Sequence, residues 1–265
     1  MAKPQIMTYR LGAPDGSRMF FPSSHVPLAV DAFAVAIVFA GENGALLIPD
    51  PATSNKPAQS GIPTQLNGNF VIRNAPRFMN VGLHVLMVDV APAHLTGISD
   101  DDRAGGTHAS EAAAIIADAR TQWPGLKIWL VGTSKGTISV ASCAANFPSN
   151  SNGPDGIVLT SSVTAQTKPA PPTPAKTVLD IPLENIRARC LLISHESDSC
   201  VTSPPANNSI ILGRLNSATV PAWQRLTGGF FAAANPCQAF AHHGFNGSAD
   251  DLVGKMTTYM RAQFP

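Results

Sequence analysis

The chain has 265 residues, a formal net charge of +1 and 44% hydrophobic residues. That is enough apolar material for a sizeable core, which excludes a disordered chain, and the near-neutral charge with no basic run gives nucleic acid nothing to hold through its phosphates. No apolar stretch approaches the roughly 18 residues that cross a bilayer, so a membrane span is excluded as well.

Short apolar runs alternate with helix-like segments along the chain, the pattern of a parallel sheet covered by helices on both faces. Thr8 to Arg10 and Met19 to Phe21 are expected to form an antiparallel hairpin across the turn-rich Gly12-Ala-Pro-Asp-Gly16. The nearly continuous apolar runs from Phe33 to Phe39 and from His84 to Val90 read as strands buried on both faces. A helix from Ser110 to Trp123 follows, with Ser110 as its cap and Ile115, Ile116, Ala119 and Trp123 on one face, stopped by Pro124-Gly125. Further strands are expected from Lys127 to Val131, from Gly156 to Thr160 and from Cys190 to Ser194. A helix should start after Ser134 and end near Asn146, and another should run from Asp250 to Phe264. Ser162 to Pro182, with Lys168-Pro-Ala-Pro-Pro-Thr-Pro174, is too rich in proline for regular structure and reads as a loop with one short helix near Val178. The final third holds too few strands to fold alone, so residues 1–265 read as one domain.

Gly132-Thr-Ser134-Lys-Gly136 lies between the strand that ends at Val131 and the helix that follows it. A serine nucleophile needs its hydroxyl projected out of the sheet with backbone N–H groups facing it. A tight strand-to-helix turn achieves this and leaves no room for side chains at its flanks, hence the glycines. Ser134 is therefore the candidate nucleophile, against the plain alternative of a glycine turn without chemistry. Its attack on a carbonyl creates an oxyanion, which needs two N–H donors. The backbone of Lys135 is one candidate. The other belongs to Ala40-Gly41-Glu42-Asn43-Gly44, after the strand ending at Phe39, with Glu42 the first choice and Asn43 the second.

His195-Glu-Ser-Asp198-Ser-Cys200 follows a strand, and His242-His243-Gly244-Phe245 precedes the last helix. Asp198 is the candidate acid, with Glu196 as its substitute, and His243 the candidate base, with His242 as its substitute. The order serine, acid, histidine suits acyl transfer, the acid orienting the imidazole that takes the serine's proton. His195 reads as structural. His25, His84, His94 and His108 lack metal-ligand spacing, so no metal site is expected.

On these residues the chain resembles the α/β-hydrolases from about Phe33 to Phe264. It is most similar to small lidless bacterial members in which one cysteine follows the acid and another precedes the histidine. Many members carry His-Gly where this chain has Ala40-Gly41, so the usual histidine is absent from that turn. The resemblance implies an α/β fold with a mostly parallel central sheet, helices on both faces, no substantial lid and no cofactor. It further implies an esterase-like activity on small or polymeric esters. Alternatives on the same residues are a peptidase or an acyltransferase, and, from another class, a non-catalytic binding protein on the same scaffold. No feature of the sequence speaks to oligomeric state.

If the three residues assemble, the loops of Asp198 and His243 meet at one edge of the sheet, which brings Cys200 and Cys237 within bonding reach. Cys143 and Cys190 read as free buried thiols. A structural disulfide points to an oxidising compartment, as does a chain with only 13% charged residues and 23 prolines. Met1-Ala-Lys-Pro has no apolar core of an export signal. The expectation is a secreted or periplasmic protein whose signal has been removed, with a cytoplasmic one left open.

Overall fold

The computed structural model describes residues 9–13, 16–23, 32–48, 65–91, 94, 96–147, 153–166 and 176–264. In chain order the strands are β1 (Tyr9–Ala13), β2 (Gly16–Ser23), β3 (Ala34–Phe39), β4 (Leu83–Val88), β5 (Lys127–Thr133), β6 (Gly156–Thr160), β7 (Arg189–His195) and β8 (Thr219–Leu226). They form a single sheet in the order β1-β2-β4-β3-β5-β6-β7-β8. The hairpin joins the sheet antiparallel through β2 and β4, and the six strands from β4 to β8 run parallel. The hairpin strands are longer than the sequence suggested, since Gly12, Ala13 and Gly16 pair across the ladder instead of turning.

Burial on both faces explains why the central strands read as unbroken apolar runs. Val35, Ile37 and Phe39 of β3 pack towards α4 (Gly106–Gln122) and α5 (Gly136–Asn146). The alternate residues Ala34, Ala36 and Val38 face α1 (Phe70–Arg73), α2 (Ala75–Asn80) and the C-terminal helix α7 (Ala249–Ala262). Two more helices complete the set, α3 (Asp100–Ala104) and α6 (Asn208–Arg214).

Several elements depart from the sequence reading, each for a physical reason. Helix α4 begins at Gly106, so Ser110 lies inside its first turns and donates to the Gly106 carbonyl at 2.9 Å. The capping serine of this region is Ser99, whose hydroxyl accepts the Asp102 N–H at the start of α3. Strand β4 stops at Val88 because the next residue, Asp89, turns its carboxylate onto backbone. It accepts the N–H groups of Leu46 and Ile48, both at 2.8 Å, and of Val90 at 2.7 Å. Strand β8 was missed altogether: it mixes Pro221 with Gln224 and Arg225 and lies mostly half-exposed at the sheet's edge, where proline is tolerated and an apolar run is not needed.

Between β6 and β7 the described residues hold two short 3-10 turns, Val178–Asp180 and Leu183–Asn185, and no cap helix. The proline run from Lys168 to Pro174 lies outside them.

Asp89 shapes the segment that follows β3, and burial pushes its carboxyl up despite the backbone bonds that oppose the shift. Asp89→Asn should destabilise the fold, because an amide nitrogen then faces at least one buried backbone N–H. We expect a loss of about 1–3 kcal/mol in chemical denaturation.

Candidate active site

Strand β5 delivers Ser134 into a turn with φ of +55°. A non-glycine residue in the left-handed region costs on the order of 1 kcal/mol and persists only where its surroundings hold it. Here the Ser134 N–H donates to the Thr160 carbonyl at 3.0 Å, and the Ser134 carbonyl accepts from the Thr137 N–H at 2.9 Å and hydroxyl at 2.5 Å. Thr160 also donates its hydroxyl to the Gly132 carbonyl at 2.9 Å, fastening the turn to β6. A Cβ on Gly132 would lie 2.6 Å from the Gly136 oxygen, and one on Gly136 would overlap the Phe39 carbonyl. Both positions exclude side chains, as the sequence implied.

The turn after β3 packs directly on this one. A Cβ on Gly41 would lie 2.9 Å from Ser134 Cβ and 2.8 Å from the Thr133 oxygen. Glu42 follows with φ of +51° and is solvent-exposed, so its carboxylate stays hydrated. Behind it the buried Arg103 guanidinium donates to the Glu42 carbonyl at 3.4 Å and to Ser139 Oγ at 2.9 Å. Among the described residues, neither the Glu42 nor the Lys135 backbone N–H meets an acceptor. The Lys135 ammonium bonds to Asp100 at 2.8 Å.

On the loops after β7 and β8, Asp198 and His243 meet. His243 Nδ1 lies 3.0 Å from Asp198 Oδ2, with the two residues 3% and 6% exposed. A carboxylate only accepts, so Nδ1 carries the proton, and in the neutral ring Nε2 keeps its lone pair. The other carboxylate oxygen, Oδ1, takes the Cys200 N–H at 2.9 Å. His243 Nε2 is buried and has no hydrogen-bond partner. Ser134 Oγ is likewise uncommitted, so the serine and the imidazole are not hydrogen-bonded to each other. Such bonds commonly tighten only when substrate arrives.

The alternative residues have other surroundings. Glu196 is exposed, with its N–H tied to the Leu226 carbonyl, and makes no bond to either histidine. His195 is buried; its Nδ1 accepts the Ser197 N–H at 3.1 Å, so Nε2 donates to the Gly228 carbonyl at 2.8 Å and both nitrogens are spent. His242 stacks on it with ring centroids 4.3 Å apart and has no carboxylate partner. Burial and His195 hold the His242 imidazole below its usual range, against an opposing pull from Asp198.

Three residues that position the site were not identified from sequence. Ser161, at the end of β6, donates its hydroxyl to the His243 carbonyl at 2.8 Å. Arg73 on α1 reaches the carbonyls of Gly68 at 2.6 Å, Ala239 at 2.8 Å and Gly244 at 2.5 Å, bracing the histidine loop from below. Arg103 supports Glu42 as described. All three act through long-range contacts to backbone, which leave no local pattern. Phe245 also anchors this loop, fully buried against Phe70 with ring centroids 5.2 Å apart.

Cys200 and Cys237 form a disulfide, with Cα atoms 4.6 Å apart. It ties the segment after Asp198 to the segment before His243. Cys143 and Cys190 are free and buried.

No protein-family model matches the chain, and no curated protein matches it. Solved structures do. A lidless α/β serine hydrolase from Xanthomonas campestris is 17% identical over 98% of this chain and 96% of its own, with a TM-score of 0.59. The fold is that of the α/β-hydrolases. A dienelactone hydrolase from Anabaena variabilis aligns over 97% of both chains at 14% identity and a TM-score of 0.62. Esterase 2 from Thermogutta terrifontis, phosphonylated by sarin, matches 100% of this chain and 97% of its own at 12% identity and a TM-score of 0.62. In an α/β-hydrolase, as in other open parallel sheets, ligands bind beyond the carboxyl ends of the strands. Gly41, Ser134, Asp198 and His243 all lie there, after β3, β5, β7 and β8.

The thiols offer a direct check of the cysteine pattern. Burial pushes the Cys143 thiol up to about 12 and that of Cys190 higher still, so neither should react while the protein is folded. Native, unreduced protein should take up no alkylating reagent, and unfolding without reductant should expose two thiols, counted by mass spectrometry. Cys200→Ser with Cys237→Ser should lower stability by roughly 3 to 4 kcal/mol on the chain-entropy estimate, read from thermal unfolding.

Proposed function

We propose that the protein is a serine hydrolase that cleaves carboxylic esters, with Ser134 as nucleophile, His243 as base and Asp198 as acid. The observation that carries this reading is the buried His243–Asp198 bond of 3.0 Å, which leaves Nε2 without a partner among the described residues, while Ser134 sits uncommitted in a strained turn at the same end of the sheet. A solvated loop aspartate and a core histidine have no reason to be arranged in this way. Hydrolases and esterases among the structures of this fold are consistent with it, though the fold alone serves many chemistries.

In this mechanism Ser134 Oγ bonds to the ester carbon while its proton passes to His243 Nε2. The carbonyl π pair moves onto oxygen, where the N–H groups of Lys135 and Glu42 receive it. Collapse expels the alkoxide, which takes the proton from His243. Water, deprotonated by the same nitrogen, then bonds to the acyl carbon, and as the bond to Ser134 Oγ breaks that proton returns to the serine and the acid leaves. Asp198 holds the imidazole in the Nδ1-protonated form and offsets the positive charge that develops on it.

The absence of a cap helix among the described residues supports an open site that admits bulky or polymeric esters. The disulfide supports an exported protein in an oxidising compartment.

A fluorophosphonate probe should label Ser134 stoichiometrically, and peptide mapping that places the label on another serine would remove the nucleophile from this scheme. Ser134→Ala should abolish turnover of a short-chain chromogenic ester with its thermal unfolding unchanged. His243→Ala should lower kcat by about 10³-fold or more, whereas His242→Ala should stay close to wild type. The reverse ranking would move the base by one position. Rate should rise smoothly with substrate concentration, without a jump where the ester begins to form droplets.

A further inference from the structure

Asn69, the residue before α1, plays no part in the mechanism above, yet its placement is unusual. It is 6% exposed, and its Oδ1 accepts the Val71 N–H at 3.3 Å. That bond fixes which end of the amide faces the helix, so Nδ2 faces away from it. Arg73 pins the preceding peptide through the Gly68 carbonyl at 2.6 Å, which leaves the side chain little freedom to swing. The Nδ2 group is directed at the Gly41 turn. The point that a Cβ on Gly41 would occupy lies 3.3 Å from Asn69 Nδ2 and 2.9 Å from Ser134 Cβ. Among the described residues Nδ2 meets no acceptor. A nine-tenths buried amide thus holds an unspent pair of N–H groups beside the nucleophile and beside the turn that carries Glu42.

We propose that Asn69 Nδ2 is a third donor to the oxyanion, on the Glu42 side of the site. This rests on Ser134 being the nucleophile. As Ser134 Oγ bonds to the acyl carbon and its proton passes to His243, the carbonyl pair becomes a full charge on oxygen. Asn69 gives up no proton; it supplies a hydrogen bond that strengthens as that charge grows. The two backbone donors are partial charges fixed by their turns. An anchored side-chain amide adds a third without requiring the backbone to move. A donor that acts on charge present only in the transition state raises kcat and leaves KM nearly unchanged.

The same residue caps α1, so the test must keep the cap and remove the donor. Serine and aspartate both cap helices well and neither offers an NH2. Wild type, Asn69→Ser and Asn69→Asp are compared in their rate of Ser134 phosphonylation by a fluorophosphonate, in kcat and KM on a short-chain ester, and in thermal midpoint. Both variants are expected to label Ser134 about 10²-fold more slowly and to lose kcat by a similar factor. KM and the thermal midpoint should stay near wild type, and Asn69→Asp should be the slower, because a carboxylate opposes the developing charge. Wild-type labelling in either variant overturns the proposal, as does a rise in KM with kcat intact. Loss of rate that tracks loss of thermal stability also overturns it, since that is the signature of a cap alone. Where the wild type labels but turns over no ester, the ester reading fails and the labelling rates decide the role of Asn69, because the phosphonyl oxygen meets the same donors. A wild type that takes no label on Ser134 removes the nucleophile and this proposal together.

Discussion

At the carboxyl ends of β3 and β5, the backbones of Gly41, Gly132 and Gly136 approach so closely that a methyl group at any of them would strike a neighbouring peptide or Ser134 itself. The remaining geometry of the site depends on that approach. It lets the turn of Ser134 sit flush against the turn after β3, the one that carries Glu42. The strain at Ser134 is modest beside the bonds that oppose its release, from Thr160 on one flank and Thr137 on the other. Because β5 lies between β3 and β6, both flanks are part of the sheet.

The acid and the histidine have no such continuous support. They sit on loops that leave adjacent strands and are held by separate ties: the Cys200–Cys237 disulfide across the two loops, Ser161 on the His243 carbonyl, and Arg73 on three carbonyls from below. Cys200 serves twice, since its N–H donates to Asp198 while its sulfur reaches the histidine's loop. The pairing of Asp198 with His243 is buried, where charge interactions are strong and misplacement is costly. A frame with several independent ties tolerates the loss of one better than a single contact would.

The sheet was legible because its inner strands are buried on both faces, and burial of that kind leaves unbroken apolar runs such as Cys190 to Ser194. The strand at the edge was not, because Thr219–Leu226 is half-exposed and needs no such run. The serine's turn could be read because steric exclusion of a side chain demands glycine, and glycine is visible in a sequence. The glycine after His243 answers to the same constraint, since a Cβ on Gly244 would overlap the Ala239 carbonyl. What sequence reasoning could not supply was Arg73, Arg103 and Ser161. Their roles arise from contacts between distant segments, and an arginine that will hold buried carbonyls looks the same on paper as one that will lie in solvent. Ser110 failed as a cap for a related reason. Capping depends on where the preceding chain comes from, and here α3, starting at Ser99, delivers α4 already under way.

The order of these parts along the chain has a consequence for how the molecule comes into being. The Gly41 turn, Asn69, Arg73 and the Ser134 turn are all made before α5 ends, whereas Asp198 comes with β7 and His243 only after the edge strand. Parallel strands join segments far apart in sequence, and such sheets close slowly because the intervening chain must be confined first. Ribosomal synthesis runs from the amino end and domains mature in that direction. The turn of Ser134 is thus encoded complete while the segments of Asp198 and His243 are still to come, and the disulfide's second sulfur follows the first by 37 residues. Vectorial production thus leaves the Ser134 turn waiting for its neighbours, and the buried Asp198–His243 pair closes only after both of their loops have docked.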